Sequence, residues 1–288
     1  MKHQRVTQMG IQIHAGDNYR RVVEAIQADA IGAVREVHVF LNGKAWSAAG
    51  RPKATAAVPD RLNWDLWLGP ATKRAYDPDY HPAGWRRYWD FGGGTLGDMA
   101  CHYLDLPFWA LKLKAPLSVR AEGPSANAYA APSGLAIHYE FPSQDQTRPL
   151  KLSWWDGDLR PLAALKARGL ESWHNGVLFV GDKGWLVSGY GSHQLGPKKN
   201  FEHYEAPKPS LKPSLGHHAE WIEACKTRKS TTCSFDYSGP LTETVLLGVV
   251  AHRSGKFFRW DASKLLALRS PAAQALIDKD YRKGWELF

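Results

Sequence analysis

Short strand-like segments follow one another through the middle of the chain and constrain its fold most strongly. Apolar patterning predicts strands over residues 118–122, 134–141, 150–155, 175–180 and 185–188, with earlier strands at 5–10 and 34–41 and a later one at 257–260. Helical spacing predicts helices near residues 18–29, 96–110, 217–225, 240–253 and 271–277. This order predicts one α+β domain over residues 1–288, with an open-faced, mostly antiparallel sheet and helices on one face.

Composition and charge exclude several classes of protein. The 288 residues carry a net charge of +9 that is spread along the chain, which disfavours a basic tail for nucleic acid. No apolar run reaches the ~18 residues of a membrane span, and no signal core follows Met1, so we expect no membrane partner and a cytoplasmic location. The three cysteines, Cys101, Cys225 and Cys233, match no zinc or disulfide pattern, which predicts reduced thiols and no metal site.

Residues 42–94 form an aromatic-rich insert in which prolines and glycines interrupt every regular period. So many rings argue against disorder, and loops of this length in compact domains are usually functional. Two interpretations stay open: the rings line one wall of a pocket, or they cover a face of the sheet. The first makes substrate contacts of Trp46, Trp64, Trp85, Trp89 and Tyr88.

A glycine run, Gly92-Gly93-Gly94, leads into the predicted helix that carries Asp98 and His102. These two side chains are four residues apart, so they share one helix face, one turn from each other. A carboxylate can orient an imidazole and raise its pKa, and histidine titrates near neutral pH. The spacing therefore indicates a candidate acid/base pair, although an aspartate one turn before a histidine is also common on solvated helices.

Several stretches, taken in order, resemble the Gfo/Idh/MocA family of NAD(P)-dependent, mainly sugar-acting oxidoreductases. They lie at residues 7–14, 18–24, 30–37, 63–70, 92–105, 216–225 and 236–243, and include Asn63-Trp64-Asp65-Leu66-Trp67-Leu68-Gly69-Pro70 and Gly216-His217-His218-Ala219-Glu220-Trp221. Each match is weak by itself. Their shared order, from near residue 5 to about residue 243, makes the resemblance fairly specific.

The resemblance implies roles for several residues. Asp98 and His102 match the family's catalytic carboxylate and histidine, where the histidine is acid/base toward the hydroxyl whose carbon loses hydride. Gln8 and Gly10 would lie beside the cofactor and His14 would face the cleft. The sheet face would mediate homo-oligomer contacts. The sequence has no G-x-G-x-x-G fingerprint, so the NAD(P)-binding domain is expected to be absent. Residues 1–14 would then be the remnant of the last strand of a Rossmann domain.

Three functions remain open from the sequence. The first is a sugar or cyclitol oxidoreductase with NAD(P), and the second is a stand-alone glycoside hydrolase or lyase without NAD. For the second, Glu171 and His174 are spaced to share one side of a helical turn, although a solvated pair is the commoner explanation of such spacing. The third is a non-catalytic module that binds sugar or mediates oligomerisation. In each case the expected ligand is a small-molecule carbohydrate.

Overall fold

The computed structural model describes residues 3, 5–43, 46–53, 55–142 and 148–286. Its helices are α1 (Asp17–Gln27), α2 (Trp64–Leu68), α3 (Gly94–Ala110), α4 (Leu162–Lys166), α5 (His217–Thr227), α6 (Phe235–Ser254) and α7 (Pro271–Gln274). Its strands are β1 (Val34–Leu41), β2 (Ser118–Glu122), β3 (Ala136–Phe141), β4 (Leu150–Asp156), β5 (Asn175–Gly181), β6 (Trp185–Ser188), β7 (His193–Gly196), β8 (Phe258–Asp261) and β9 (Leu266–Leu268). Among the described residues, no helix is long and apolar enough to cross a membrane.

The nine strands form one sheet in the order β7-β6-β5-β1-β4-β3-β2-β8-β9. The pair β1–β4 is parallel, with Val39 opposite Trp154, and the other neighbouring strands run antiparallel. Because β1 is inserted between β4 and β5, the first described strand lies in the interior of the sheet, next to its central strand β4. The prediction of a mostly antiparallel sheet in a mixed α/β fold is confirmed.

The main core lies between the sheet and helices α1, α3 and α6. Val37 and Val39 of β1 and Trp154 of β4 are fully buried there, because alternate residues of a strand point to the same face. Side chains of the three helices complete this core, including Val22, Val23, Leu96, Leu104 and Val245. Burying each such side chain contributes about 1.5–3 kcal/mol.

The opposite face of the sheet is partly covered by the segment around α4. Leu165 and Leu170 pack there with Phe40, Leu178 and Trp185 in a second, smaller cluster. The sequence analysis missed α4, as well as strands β7 and β9. These elements have three to five residues each, too few to show a period.

Two predicted elements differ in the structure. Residues 5–10 were predicted as a strand, and this is wrong: the backbone N–H of Met9 donates to the carbonyl of Cys233 at 3.0 Å, outside the sheet, and a 3-10 helix follows at Gln12–Ala15. Helix α6 begins at Phe235, five residues before Pro240, so this proline lies inside the helix. Cys101 and Cys233 are buried, whereas Cys225 is exposed, and all three are free thiols.

The carboxyl of Asp156, at the end of β4, makes stability depend on pH. Burial raises its pKa to about 6 from an ordinary value of 3.8, although Trp154 Nε1 and the Leu135 N–H donate to it at 2.9 and 2.6 Å. A raised pKa in the folded state gives stability that is present below pH 4 and is lost as the pH rises through about 6.

We therefore expect Asp156→Asn to remove this part of the pH dependence. The unfolding free energy of the variant, relative to that of the parent, should rise by about 3 kcal/mol between pH 4 and pH 7.5. The reason is that each pKa unit corresponds to 1.36 kcal/mol. Urea unfolding at both pH values measures it. Comparing the two proteins at each pH cancels the other titrating groups and any lost hydrogen bond. A shift near zero would contradict the assignment.

Candidate functional site

The aromatic-rich insert is ordered around a cluster of stacked rings. Helix α2 begins after Asn63, whose side chain accepts a hydrogen bond from the Leu66 N–H at 3.1 Å. Trp64 stacks on Trp67 with ring centroids 4.7 Å apart, and the rings of Tyr80, Tyr88 and Phe91 close the cluster. Trp64 and Tyr88, both predicted to contact substrate, thus pack in this cluster.

The start of helix α3 is fixed by close backbone packing. Gly94 has φ +66°, and a Cβ atom there would lie 2.3 Å from the Cβ of Ala131, so only glycine fits this position. Thr95 accepts a hydrogen bond from the backbone N–H of Trp46 at 3.2 Å. One turn further along, the Nε1 of Trp46 donates to Oδ2 of Asp98 at 2.5 Å. The insert is therefore anchored directly on the candidate carboxylate.

Arg86 binds the other oxygen of the Asp98 carboxylate. Its Nε donates to Oδ1 at 3.3 Å, and its guanidinium lies 4.5 Å from the ring centroid of Trp85 and 5.0 Å from that of Trp46. These are cation–π distances. Asp98 thus has both oxygens engaged and a positive charge beside it, while its side chain stays partly exposed.

A cavity of about 990 Å³, here called the α3–α6 cavity, opens beside Asp98. Trp85, Arg86 and Trp89 line one wall, and residues of α6 line the other, including Ser238, Thr242, Glu243, Leu246 and Val250. Trp89 is held by a hydrogen bond from its Nε1 to the carbonyl of Asn127 at 2.8 Å. A carboxylate and flat rings therefore line the same hollow, which is an arrangement suited to binding a polyhydroxylated ring.

His102 lies one turn along α3 from Asp98, as predicted, but the two side chains are not bonded to each other. The Asp98 carboxylate is bound by Trp46 and Arg86 instead. His102 is partly exposed, its carbonyl accepts a hydrogen bond from the Tyr19 hydroxyl at 3.4 Å, and it is not a lining residue of the α3–α6 cavity. The structure thus shows no hydrogen bond by which Asp98 would orient the His102 ring, and the pairing of the two in catalysis stays a prediction.

The buried carboxylate–imidazole pair is His14 with Asp105. His14 Nδ1 lies 2.9 and 3.0 Å from the two carboxylate oxygens, and both residues are almost fully buried. The Tyr237 hydroxyl donates to Oδ1 of Asp105 at 2.6 Å, and the Trp109 ring stacks on His14 with centroids 3.9 Å apart. Burial and the charge of Asp105 raise the pKa of Tyr237, which keeps its proton on the hydroxyl.

Sequence reasoning missed this pair because its partners come from distant parts of the chain. Asp105 follows His102 by three residues on α3, whereas His14 precedes α1. Since Nδ1 of His14 faces a carboxylate, that nitrogen carries a proton and donates it to Asp105. Nε2 is buried and has no hydrogen-bond partner.

The remaining predicted residues lie in two other places. Gln8 donates from Nε2 to the carbonyl of His217 at 2.6 Å, and its Oε1 is buried without a partner. Gly10 is exposed, and a Cβ added there would meet no atom within 4 Å. The carbonyls of Glu171 and His174 accept hydrogen bonds from Arg160 at 3.3 Å and Asn42 at 3.2 Å, and neither residue lines the α3–α6 cavity.

Metal ligands do not cluster in the part of the chain that is described. No group of three or more His, Cys, Asp or Glu side chains there could hold a metal ion. The chemistry that these residues themselves offer is hydrogen bonding, charge and proton transfer.

Comparison with protein families matches residues 23–147 to a Gfo/Idh/MocA model described as the C-terminal alpha/beta domain of an oxidoreductase family. This matched segment includes α3 with Asp98 and His102, and the whole aromatic-rich insert. No curated protein sequence matches the chain.

Solved structures with a similar fold include those of oxidoreductases. The aldose-aldose oxidoreductase from Caulobacter crescentus, complexed with glycerol, aligns with a TM-score of 0.54 and 14% identity over 90% of this chain and 65% of its own. The WlbA dehydrogenase from Bordetella pertussis, in complex with NADH and UDP-GlcNAcA, aligns with a TM-score of 0.55 and 14% identity. The alignment covers 89% of this chain and 64% of that structure. An NAD-binding protein from Listeria innocua aligns with a TM-score of 0.53 and 12% identity, over 88% of this chain and 63% of that structure.

These comparisons define the class of fold: a mixed α/β domain of the kind found in oxidoreductases. At such identities the likeness establishes the fold alone. The chain spans less than two thirds of the length of each of these three structures.

Proposed function

We propose that this chain is the carbohydrate-handling part of an NAD(P)-dependent oxidoreductase of the Gfo/Idh/MocA family. The observation that carries the proposal is the placement of Asp98, bound by Trp46 and Arg86 at the edge of the tryptophan-lined α3–α6 cavity. Support comes also from the family match, which covers the same helix.

The substrate is a small carbohydrate that binds in the α3–α6 cavity. Trp85 and Trp89 supply flat apolar surface for the C–H face of a sugar ring, and both already line the cavity. The Asp98 carboxylate accepts hydrogen bonds from sugar hydroxyls, because a carboxylate has about four lone-pair sites and the protein occupies two of them. Arg86 keeps this carboxylate in place by charge and by stacking.

Oxidation of a carbinol needs a group that takes the hydroxyl proton while hydride leaves the carbon. We assign the proton to the imidazole of His102 by likeness to the family. His102 is on the same helix as Asp98 but does not line the α3–α6 cavity, so this assignment requires the reacting hydroxyl to extend out of the cavity toward His102. NAD(P), when bound, supplies the hydride acceptor. Gln8, whose buried Oε1 lacks a partner, fits an amide donor such as that of a nicotinamide, and Gly10 leaves open space beside it.

Replacing Trp85 with alanine is expected to weaken carbohydrate binding about tenfold, since losing one stacked ring costs about 1–2 kcal/mol. The binding partner is found by titrating a panel of monosaccharides, sugar acids and cyclitols, with and without NAD(H), while following tryptophan fluorescence. The dissociation constant of each saturating ligand is then measured for both proteins.

The matched control is Trp221→Ala, which removes a half-exposed tryptophan of α5 that does not line the cavity. Its dissociation constant should stay within about twofold of the parent value, a change of no more than about 0.4 kcal/mol. The proposal fails if no carbohydrate of the panel saturates the signal, or if both substitutions weaken binding equally.

A further inference from the structure

A second cavity, of about 640 Å³, lies where the N-terminal segment meets the start of α6. We call it the cationic cavity. Its lining residues come from two segments, His3, Arg5, Val6 and Thr7 on one side and Arg228, Lys229, Ser230, Thr231, Ser234 and Asp236 on the other. The proposed function uses none of them.

Within the part of the chain that the structure describes, the positive charges of this cavity have no carboxylate partner. Arg5, Arg228 and Lys229 are exposed, and none of them forms an ion pair with a carboxylate among the described residues. Some arginines elsewhere do form ion pairs, as Arg74 does with Asp90 and Arg282 with Asp65, both at 2.5 Å. Three unneutralised cations that converge on one hollow raise the local concentration of anions.

Hydrogen bonds hold the two walls of the cationic cavity together. The Thr231 hydroxyl donates to the carbonyl of Thr7 at 2.7 Å, and the backbone N–H of Phe235 donates to the Thr7 hydroxyl oxygen at 3.1 Å. Thr231 is itself buried. The concave shape is therefore built by the packing of two fixed segments.

Negative charge in this region is limited. Asp236 is the one carboxylate among the lining residues, and it lies in the first turn of α6. The neighbouring Glu220 accepts hydrogen bonds from the N–H and the hydroxyl of Thr232, at 2.5 and 3.1 Å, and does not line the cavity. With Arg5, Arg228 and Lys229 against Asp236, the lining stays positive overall.

We infer that the cationic cavity binds the phosphate groups of a small anionic ligand. Arg5, Arg228 and Lys229 supply charge-assisted hydrogen bonds, for which phosphate oxygens are strong acceptors. Ser230 and Ser234 add hydroxyl donors. The volume of about 640 Å³ has room for a diphosphate or for a phosphate with an attached group.

The cationic cavity and the α3–α6 cavity lie against the same two segments. Thr7 and Ser234 line the first, whereas Met9, Phe235 and Ser238 line the second. On the proposed function, a phosphorylated carbohydrate would thus find a phosphate site next to a sugar site. The phosphate site itself does not depend on the sugar chemistry.

The test is isothermal titration calorimetry with inorganic pyrophosphate, with the double variant Arg228→Gln/Lys229→Gln. We expect saturable binding to the parent that weakens with added salt, and a dissociation constant at least tenfold higher in the variant, since the variant loses two charge-assisted hydrogen bonds to phosphate. The matched control is Lys198→Gln/Lys199→Gln, which removes the same charge from two exposed residues outside the cavity.

The titrations distinguish a specific phosphate site from a general effect of net charge. Unsaturable binding, or equal weakening in both double variants, would overturn the inference, because it would show a general effect of net charge. Glucose 1-phosphate and glucose, titrated in the same way, identify the source of the phosphate. Binding of glucose 1-phosphate that the Arg228/Lys229 variant loses indicates a phosphorylated sugar, and binding of pyrophosphate alone indicates a free diphosphate. Failure of all carbohydrates to bind would count against the proposed function and leave the pyrophosphate result intact.

Discussion

Replacing His102 with alanine is expected to lower turnover by about 10²-fold or more, which is the usual contribution of a general acid/base. The reason is that, on the proposed function, the imidazole removes the hydroxyl proton as hydride leaves the same carbon. The measurement is NADH formation at saturating NAD⁺, with the carbohydrate identified by the fluorescence panel. The loss should appear in kcat, whereas Trp85→Ala should act chiefly on substrate binding.

The control for this substitution is His218→Ala, which removes an exposed histidine of α5. Its kcat should equal that of the parent. An unchanged kcat for His102→Ala would refute the assignment of the proton to His102. The structure makes this test necessary, because the carboxylate expected to orient His102 binds Trp46 and Arg86.

Replacing Asp105 with alanine is expected to lower the free energy of unfolding by about 2–4 kcal/mol, because it removes a buried carboxylate that accepts hydrogen bonds from His14 and Tyr237. Asp105 is fully buried, and His14 and Tyr237 both direct polar hydrogens at it. Without the carboxylate, the His14 ring N–H would stay buried with no acceptor, and the Tyr237 hydroxyl would keep only the backbone carbonyl of residue 105, at 3.1 Å. Urea unfolding, followed by circular dichroism, measures the loss.

Two further substitutions bracket the effect of Asp105→Ala. Tyr237→Phe removes a single hydrogen bond to the carboxylate and should cost about 1 kcal/mol. Asp278→Ala removes an exposed carboxylate and should change the unfolding free energy by less than about 0.5 kcal/mol. A loss of only 1 kcal/mol for Asp105→Ala would show that the pair contributes little to the stability of the core.

The sheet could be predicted from the sequence because most of its strands show their period locally. The bounds of β1 and β6 match the prediction, and those of β4 and β5 differ by one residue. The strand predicted at residues 5–10 is wrong because so short a stretch, with few apolar residues, is equally compatible with a β-strand and with an extended segment outside the sheet. What holds this segment is the contact of Met9 with Cys233, which no local pattern encodes.

The candidate site could be predicted only in part. The helix that carries Asp98 and His102 was evident from its spacing, and the predicted residues Asp98, Trp85 and Trp89 line one cavity. Their roles in catalysis and binding stay predictions. The His14–Asp105 pair and the partners of Asp98 depend on side chains that meet across the fold, and a single sequence gives no signal of such meetings.

Helix α3 carries Asp98 at the edge of the α3–α6 cavity and Asp105 in the buried core, two turns apart. An α-helix rotates by about 100° for each residue, so one inserted residue between the two acids would swing one of them away from its partners. The fold therefore constrains the number of residues between Asp98 and Asp105. Substitutions between these two residues are tolerated far more readily than insertions or deletions there.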